Sequence, residues 1–248
     1  AAQGMVAESW RSPNDWYNTN LIAQTSLIDE LRKHDCIEKY LHFTTPEVYG
    51  NTKKFIKEDS FFNPSTPYAI SRAAFDMHLK AYYKNYNFPV IFTRTANVYG
   101  ECQQLYRIVP KTIISVLLNE KIKLHGGGKS VRSFIHINDV CNALYKILSD
   151  SNDFGGTYHI STNEIISIKD LVFKIFDKMN VSSNDFIEVV GERDGKDQGY
   201  LLNSDKIRIS HKWKENISLD SGINKTISWV KKNIDTLKDL PRVYQHKK

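Results

Sequence analysis

Two short apolar runs, Tyr40 to Phe43 and PVIFTR from Pro89 to Arg94, each follow a long stretch with helical apolar spacing. This alternation restricts the chain more than any other feature. The first helical stretch, Pro13 to Lys33, carries Leu21, Ile22, Leu27, Ile28 and Leu31 at helical period, with Ser12 placed as its N-cap and Pro13 at the first helical position. The second runs from Pro67 to Tyr86. Helix–strand–helix–strand at this spacing predicts βαβ units and a parallel sheet covered on both faces, which makes the chain an α/β protein.

The second half has shorter elements. Arg107 to Asn119 reads as a helix, KIKL as a strand leading into His125-Gly126-Gly127-Gly128, SFIHI as another strand, and Asp139 to Leu148 as a helix. Ser167-x-x-Asp170 resembles a capping box opening a helix to Lys178, and Ser218 is placed to cap a helix carrying Ile223, Ile227, Trp229 and Val230. These elements suggest a smaller lobe. No Gly/Ser/Pro-rich linker separates the halves, so they are expected to pack closely, with residues 1–100 forming the main sheet and 101–248 a second lobe interleaved with it.

Composition mostly excludes. No run of 18 apolar residues exists, so no membrane span is expected. Cys36, Cys102 and Cys141 are too far apart for a disulfide framework or a metal site, which points to a reducing, cytoplasmic setting. A net charge of +6 admits an anionic partner, but the basic residues are scattered, which reads as solvated helix faces rather than a nucleic-acid surface. His42, His125, His136 and His159 show no metal-ligand spacing and read as structural.

The first apolar run ends in Thr44-Thr45-Pro46-Glu47. Proline lacks the N–H that a sheet ladder needs, so this is a poor way to continue a strand and a reasonable way to end one at a site. Some 20 residues on, Tyr68 and Arg72 lie four apart at a helix start and so share a face. A cation beside a phenol favours the phenolate and makes tyrosine a usable base.

Taken together, these pieces resemble the nucleotide-sugar branch of the extended short-chain dehydrogenase/reductases, and within it most closely the dTDP-glucose 4,6-dehydratases. The resemblance runs through AAQGMVAES, WYNTN, TTPEVYG, STPYAISRAA, FTRTANVYG, RIVP, GGGKSVRSFIHINDV and ERDGKDQGYLLNSDKIR, in order and over essentially the whole chain. It implies a Rossmann-type doubly wound parallel sheet with a smaller substrate lobe, NAD as cofactor and a nucleotide-diphosphate hexose as substrate. It also implies a hydride relay: oxidation at sugar C4, loss of water across C5 and C6, and return of the hydride to C6. By position, Tyr68 would be the C4 base, Thr45 would hydrogen-bond the C4 oxygen, and Glu47 would take the C5 proton. Tyr68, Arg72 and Asn20 would also support the cofactor side. Ser9, Asn97, Arg107, Arg132 and Arg193 would line the sugar nucleotide, arginine being suited to bidentate phosphate recognition. Family members commonly pair through two long helices, so a homodimer is expected, with neither nucleic acid nor membrane as partner.

Two residues depart from the family pattern. Pro46 stands where an aspartate usually helps water leave, and Arg72 stands where lysine is usual, although a planar guanidinium is not interchangeable with an ammonium. The glycine-rich fingerprint that approaches the pyrophosphate is also absent, and Ala1-Ala2-Gln3 matches the end of what should be a fourth strand. The expectation is that about 70 to 80 residues of a domain of usual size precede this stretch. The stretch alone should then bind NAD poorly, present an exposed sheet edge and be inactive. A nucleotide-sugar epimerase, a nucleotide-glucuronate decarboxylase and a non-catalytic nucleotide-sugar-binding homologue remain open. Glu47 argues against the first, Pro46 and Arg72 favour the last, and Gln3, also found in GDP-mannose dehydratases, leaves the nucleotide and hexose undecided.

Overall fold

A computed structural model describes residues 2–34, 36–182, 186–192 and 199–246. The chain forms two compact units. The first comprises residues 1–96, 141–161 and 194–214, and the second comprises 97–140, 162–193 and 215–248.

The first unit is built on a three-stranded parallel sheet in the order β1 (Tyr40–Thr44), β2 (Val90–Thr95), β7 (Thr157–Ile160). Tyr40 pairs with Val90 and Thr44 with Arg94; Phe92 pairs with Thr157 and Thr95 with Ile160. All six residues of β2 are buried, as a central parallel strand requires. Among the described residues β1 is an edge strand, with Phe43 exposed.

Helices α3 (Gln24–Leu31) and α4 (Pro67–Tyr86) lay Ile28, Phe75 and Leu79 against Val90 and Phe92 of β2. The ends of α4 match its local sequence. Thr66 Oγ1 accepts the Ala69 amide at 3.1 Å, Pro67 occupies the first turn, and Asn87 closes the helix in the left-handed region at φ 54°.

The stretch expected as one helix from Pro13 to Lys33 is a composite. It runs from α2 (Pro13–Tyr17) through a π-helical turn (Asn18–Ala23) into α3. Ser12 is the N-cap residue and Pro13 the first helical position, as expected, but the Ser12 side chain makes no capping hydrogen bond, and proline's fixed φ opens the helix without it. A short α1 (Val6–Ser9) precedes α2.

The second unit has a helical core. Helix α5 (Ile108–Leu117) packs against α7 (Ile168–Met179) and α9 (Leu219–Leu237), burying Ile113, Ile114, Leu171, Ile175, Ile223 and Val230. Around it lie the parallel pairs β3–β6 (Asn97–Tyr99 with Phe134–His136) and β4–β9 (Ile122–His125 with Ile187–Val190). The pair β5–β8 (Val131–Arg132 with Ile166–Ser167) is antiparallel. Ser167 and Ser218 cap α7 and α9 as their spacing predicts, accepting the Asp170 and Ser221 amides. Helix α6 (Ile137–Asp150) returns the chain to the first unit, where α8 (Asp205–Ser210) packs on β7.

Candidate active site

Pro46 ends β1 by starting something else. It takes the first position of a 3-10 turn, Pro46–Tyr49, whose N-cap is Thr45. Thr45 is in extended conformation, and its Oγ1 accepts the Glu47 amide at 3.3 Å. The missing proline N–H is therefore at a place where no ladder bond is needed. Gly50 closes the turn at φ 66°, its amide donating to the Glu47 carbonyl at 3.0 Å. The buried side chains of this turn, Val48 and Tyr49, form one apolar cluster with Ala73 of α4 and with Leu202. The turn that carries Glu47 and the helix that carries Tyr68 and Arg72 thus share a packing centre.

Tyr68 is in the first turn of α4, where backbone amides have no helical partner. Its amide donates to Ser9 Oγ at 3.2 Å, and Ser9 Oγ donates to the Val6 carbonyl at 2.6 Å. The Tyr68 carbonyl accepts from Ser71 Oγ at 2.7 Å. Asn20 in turn donates through Nδ2 to Ser71 Oγ at 3.1 Å, while its amide clasps the Gln3 backbone, accepting from N at 2.7 Å and donating to O at 3.0 Å. Both Ser9 and Asn20 are fully buried. The π-helical turn aims Asn20 inward, in keeping with such turns marking functional positions. Asn20, expected on the cofactor side, and Ser9, expected at the hexose, are therefore both placed where they fix the backbone of Tyr68.

Arg72 is almost completely buried, and its Nη2 donates to the Phe43 carbonyl at 2.6 Å. Its Nε, and the hydroxyl of Thr44 at the end of β1, are buried without a hydrogen-bond partner among the described residues. Buried polar atoms are normally paired, so both suit a polar group arriving from outside the protein, such as a ribose diol.

Of the remaining expected residues, Asn97, Arg107 and Arg132 are in the second unit. Asn97 opens β3 and its amide donates to the Ser133 carbonyl. Arg107 is the exposed N-cap residue of α5 and lies over the Tyr106 ring. Arg132 is buried on β5, with Nη1 donating to the Val131 carbonyl at 2.7 Å. Arg193 is outside the described residues.

Two features were not singled out from sequence. Tyr200 donates its hydroxyl proton to Glu47 Oε1 at 3.1 Å. Behind the strand ends runs a buried polar chain. His42 Nε2 meets Asp76 Oδ1 at 3.2 Å, and Arg94 bridges Asp76 Oδ2 at 2.7 Å to the Tyr49 hydroxyl at 2.9 Å. Tyr49 in turn lies 2.8 Å from His159 Nε2. Burial alone would raise the Asp76 carboxyl, but the His42 hydrogen bond and the Arg94 charge outweigh it and hold the group below the usual range. Burial pushes the Tyr49 phenol up to about 12. Burial, reinforced by the Arg94 charge, takes His159 down to about 3. The signal available in sequence was Arg94 itself, a charge inside an apolar strand, which demands a buried counter-charge. Among the described residues there is no group of three His, Cys, Asp or Glu side chains placed to hold a metal ion.

Residues 1–161 match the NAD dependent epimerase/dehydratase family. The chain belongs to this family. Over 215 residues it is 31% identical to the dTDP-D-glucose 4,6-dehydratase of Mus musculus, a match covering 84% of this chain and 60% of that protein. The chain thus spans about 60% of the length of that relative. DesIV, a dTDP-glucose 4,6-dehydratase from Streptomyces venezuelae crystallised with NAD, matches with a TM-score of 0.90 at 26% identity, over 95% of this chain and 73% of its own. A UDP-glucuronic acid 4-epimerase from Bacillus cereus shares the fold, with a TM-score of 0.88 at 22% identity over 94% of this chain and 74% of its own. The α/β architecture with parallel sheets is that of Rossmann-type dehydratases and epimerases.

Proposed function

We propose that the full-length protein is an NAD-dependent nucleotide-sugar 4,6-dehydratase, converting an NDP-hexose to its 4-keto-6-deoxy derivative. The observation that carries this reading is the common packing of the Glu47 turn and the Tyr68 helix on Val48, Tyr49, Ala73 and Leu202. It ties the backbone of the turn bearing Glu47 to that of the helix bearing Tyr68, the kind of common frame that a two-base reaction on neighbouring carbons requires. The dehydratases among its relatives support the same reaction. A 4-epimerase has no use for a base at C5, and Glu47 favours the dehydratase over it.

NAD, when bound, supplies hydride removal and return. Arg72 Nε and Thr44 Oγ1 are the donors this chain offers its nicotinamide-ribose end; the glycine-rich pyrophosphate turn is not in this sequence. In the proposed reaction Tyr68 takes the C4 hydroxyl proton, with its backbone held by Ser9 and by Asn20 through Ser71. Thr45 holds the C4 oxygen. Glu47 then takes the C5 proton, which the adjacent ketone has acidified, and passes it to the C6 hydroxyl, which leaves as water while the C5–C6 double bond forms; Pro46 has no proton to give. Asn97, Arg107, Arg132 and Arg193 bind the nucleotide diphosphate.

The test is to incubate full-length protein with NAD and a panel of dTDP-, UDP-, GDP- and CDP-hexoses and look for the alkali-absorbing 4-keto-6-deoxy product. A 4-epimer, released carbon dioxide, or tight binding without turnover would each replace the dehydratase reading. We further read the protein as a cytoplasmic homodimer. Ile22 and Leu27 on the first helical run, and Ile70 and Met77 seven apart on α4, are exposed apolar side chains that a second copy would cover. No helix of the described residues is long and apolar enough to cross a membrane. Sedimentation of Met77→Lys as a monomer, against a wild-type dimer, checks the pairing.

A further inference from the structure

We propose that Tyr200 is a positioning residue for Glu47, holding its carboxylate in one orientation and in its ionised form; the inference deepens the dehydratase reading and rests on it. The Tyr200 hydroxyl donates to Glu47 Oε1 at 3.1 Å across 153 positions of sequence, so tertiary structure alone brings the two together.

What makes this contact a device is how firmly Tyr200 is held. On its N-terminal side, the Gly199 amide donates to Asn51 Oδ1 at 3.0 Å and the Gly199 carbonyl accepts the Thr52 amide at 2.8 Å. On its C-terminal side, the Leu201 amide donates to Thr52 Oγ1 at 2.8 Å, and the Leu201 carbonyl accepts the Ile56 amide at 3.0 Å. The Asn203 amide donates to the Ile56 carbonyl at 2.8 Å, and Ile56 and Leu202 form a parallel β-bridge. Leu201 and Leu202 are buried, and Leu202 joins the cluster beneath the Glu47 turn. The segment is therefore laced to the loop that follows Glu47 on both sides of the phenol.

A glutamate on a short 3-10 turn has free rotamers that must be fixed before it can take a proton from one face of a sugar. The residue before it in sequence, Pro46, has no polar atom with which to help. A phenol hydrogen bond to one carboxylate oxygen fixes the group and favours its charged form.

The experiment uses the full-length protein as wild type, Tyr200→Phe, Glu47→Gln and the double variant. Infrared difference titration, with the Glu47 band identified by its loss in Glu47→Gln, requires no turnover. Tyr200→Phe is expected to move the Glu47 titration to higher pH by roughly half a unit or more. With a turned-over nucleotide sugar, Tyr200→Phe is expected to slow C5 hydrogen exchange about tenfold, leaving C4 oxidation and KM within about twofold, and to add no loss in the Glu47→Gln background. An unmoved titration overturns the proposal. So does a loss that adds fully to Glu47→Gln, or one that falls equally on C4 oxidation. A wild-type protein silent toward every nucleotide sugar rejects the dehydratase reading, while the titration still decides whether Tyr200 governs Glu47.

Discussion

The guanidinium of Arg72 donates to the carbonyl of Phe43 at 2.6 Å, so the helix that carries Tyr68 is tied directly to the end of the strand that leads to Glu47. A hydrogen bond from a charged donor in a buried place contributes about 1.5–3 kcal/mol. Arg72→Met should lower the unfolding free energy by that amount in urea denaturation. Arg72→Lys keeps the charge but places one compact ammonium where a planar fork reaches the carbonyl and still presents Nε. It should recover only part of the stability. If the proposed NAD contact is right, it should also change NAD affinity in calorimetry on the full-length protein.

Pro46 bears on chemistry more than on folding. It is buried at the first position of the 3-10 turn, where an acidic side chain is compatible with the backbone and favourable at a helix N-terminus. Pro46→Asp should therefore fold, at some cost in stability from burying a polar group. Because a positioned general acid is worth about 100-fold or more, single-turnover water loss in the full-length protein should accelerate by at least about tenfold. Pro46→Ala should not. Equal rates in the two variants would show that proton delivery to the leaving hydroxyl does not depend on this position.

Gly50 sets the exit from the same turn. At φ 66° it occupies a conformation that L side chains rarely adopt, and a Cβ there would run into the Asn63 carbonyl. Asn63 cannot easily yield, because its amide donates to the Val48 carbonyl at 2.9 Å. Gly50→Ala should cost about 1–3 kcal/mol and lower the thermal midpoint by at least about 3 °C.

How much of this was legible beforehand follows from where each signal lies. The span of α4 and its start at Thr66-Pro67 were readable because cap, proline and period agree over 20 residues. The end of β1 was readable from Pro46. The π-helical turn was not, since Asn18–Ala23 keeps helical apolar spacing while its hydrogen bonds change register. The partner of Glu47 was not, because local pattern says nothing about a contact between residues 47 and 200. His42 and His159 read as structural from the lack of metal spacing, but their coupling through Asp76, Arg94 and Tyr49 depends on strand register: β1 sets Thr44 beside Arg94, and β7 sets His159 on its other side.

That coupling makes acid sensitivity a measurable property of the first unit. His159 Nδ1 lies 3.1 Å from the Asn203 carbonyl, which can only accept, so Nδ1 carries the proton and Nε2 accepts from Tyr49. A second proton on the ring would remove that acceptor and place a cation close to Arg94, which already donates to the same Tyr49 hydroxyl. Burial first, and then the Arg94 charge, hold the folded-state imidazole at about 3, whereas in the unfolded chain it titrates near the ordinary histidine value of 6.5. Between these values the unfolded state binds the extra proton, so stability is fully present above 6.5 and is lost as pH falls toward 3. The slope from this one group approaches about 1.4 kcal/mol per pH unit. Glu58, whose carboxyl burial raises, titrates with the opposite sign, so the comparison must be differential. His159→Gln can donate to the Asn203 carbonyl and accept from Tyr49 without titrating. In urea denaturation between about pH 6 and about pH 5, the wild type should lose roughly 1 kcal/mol more than this variant. Parallel pH dependences in the two proteins would mean that His159 is not held neutral by the chain of contacts described above.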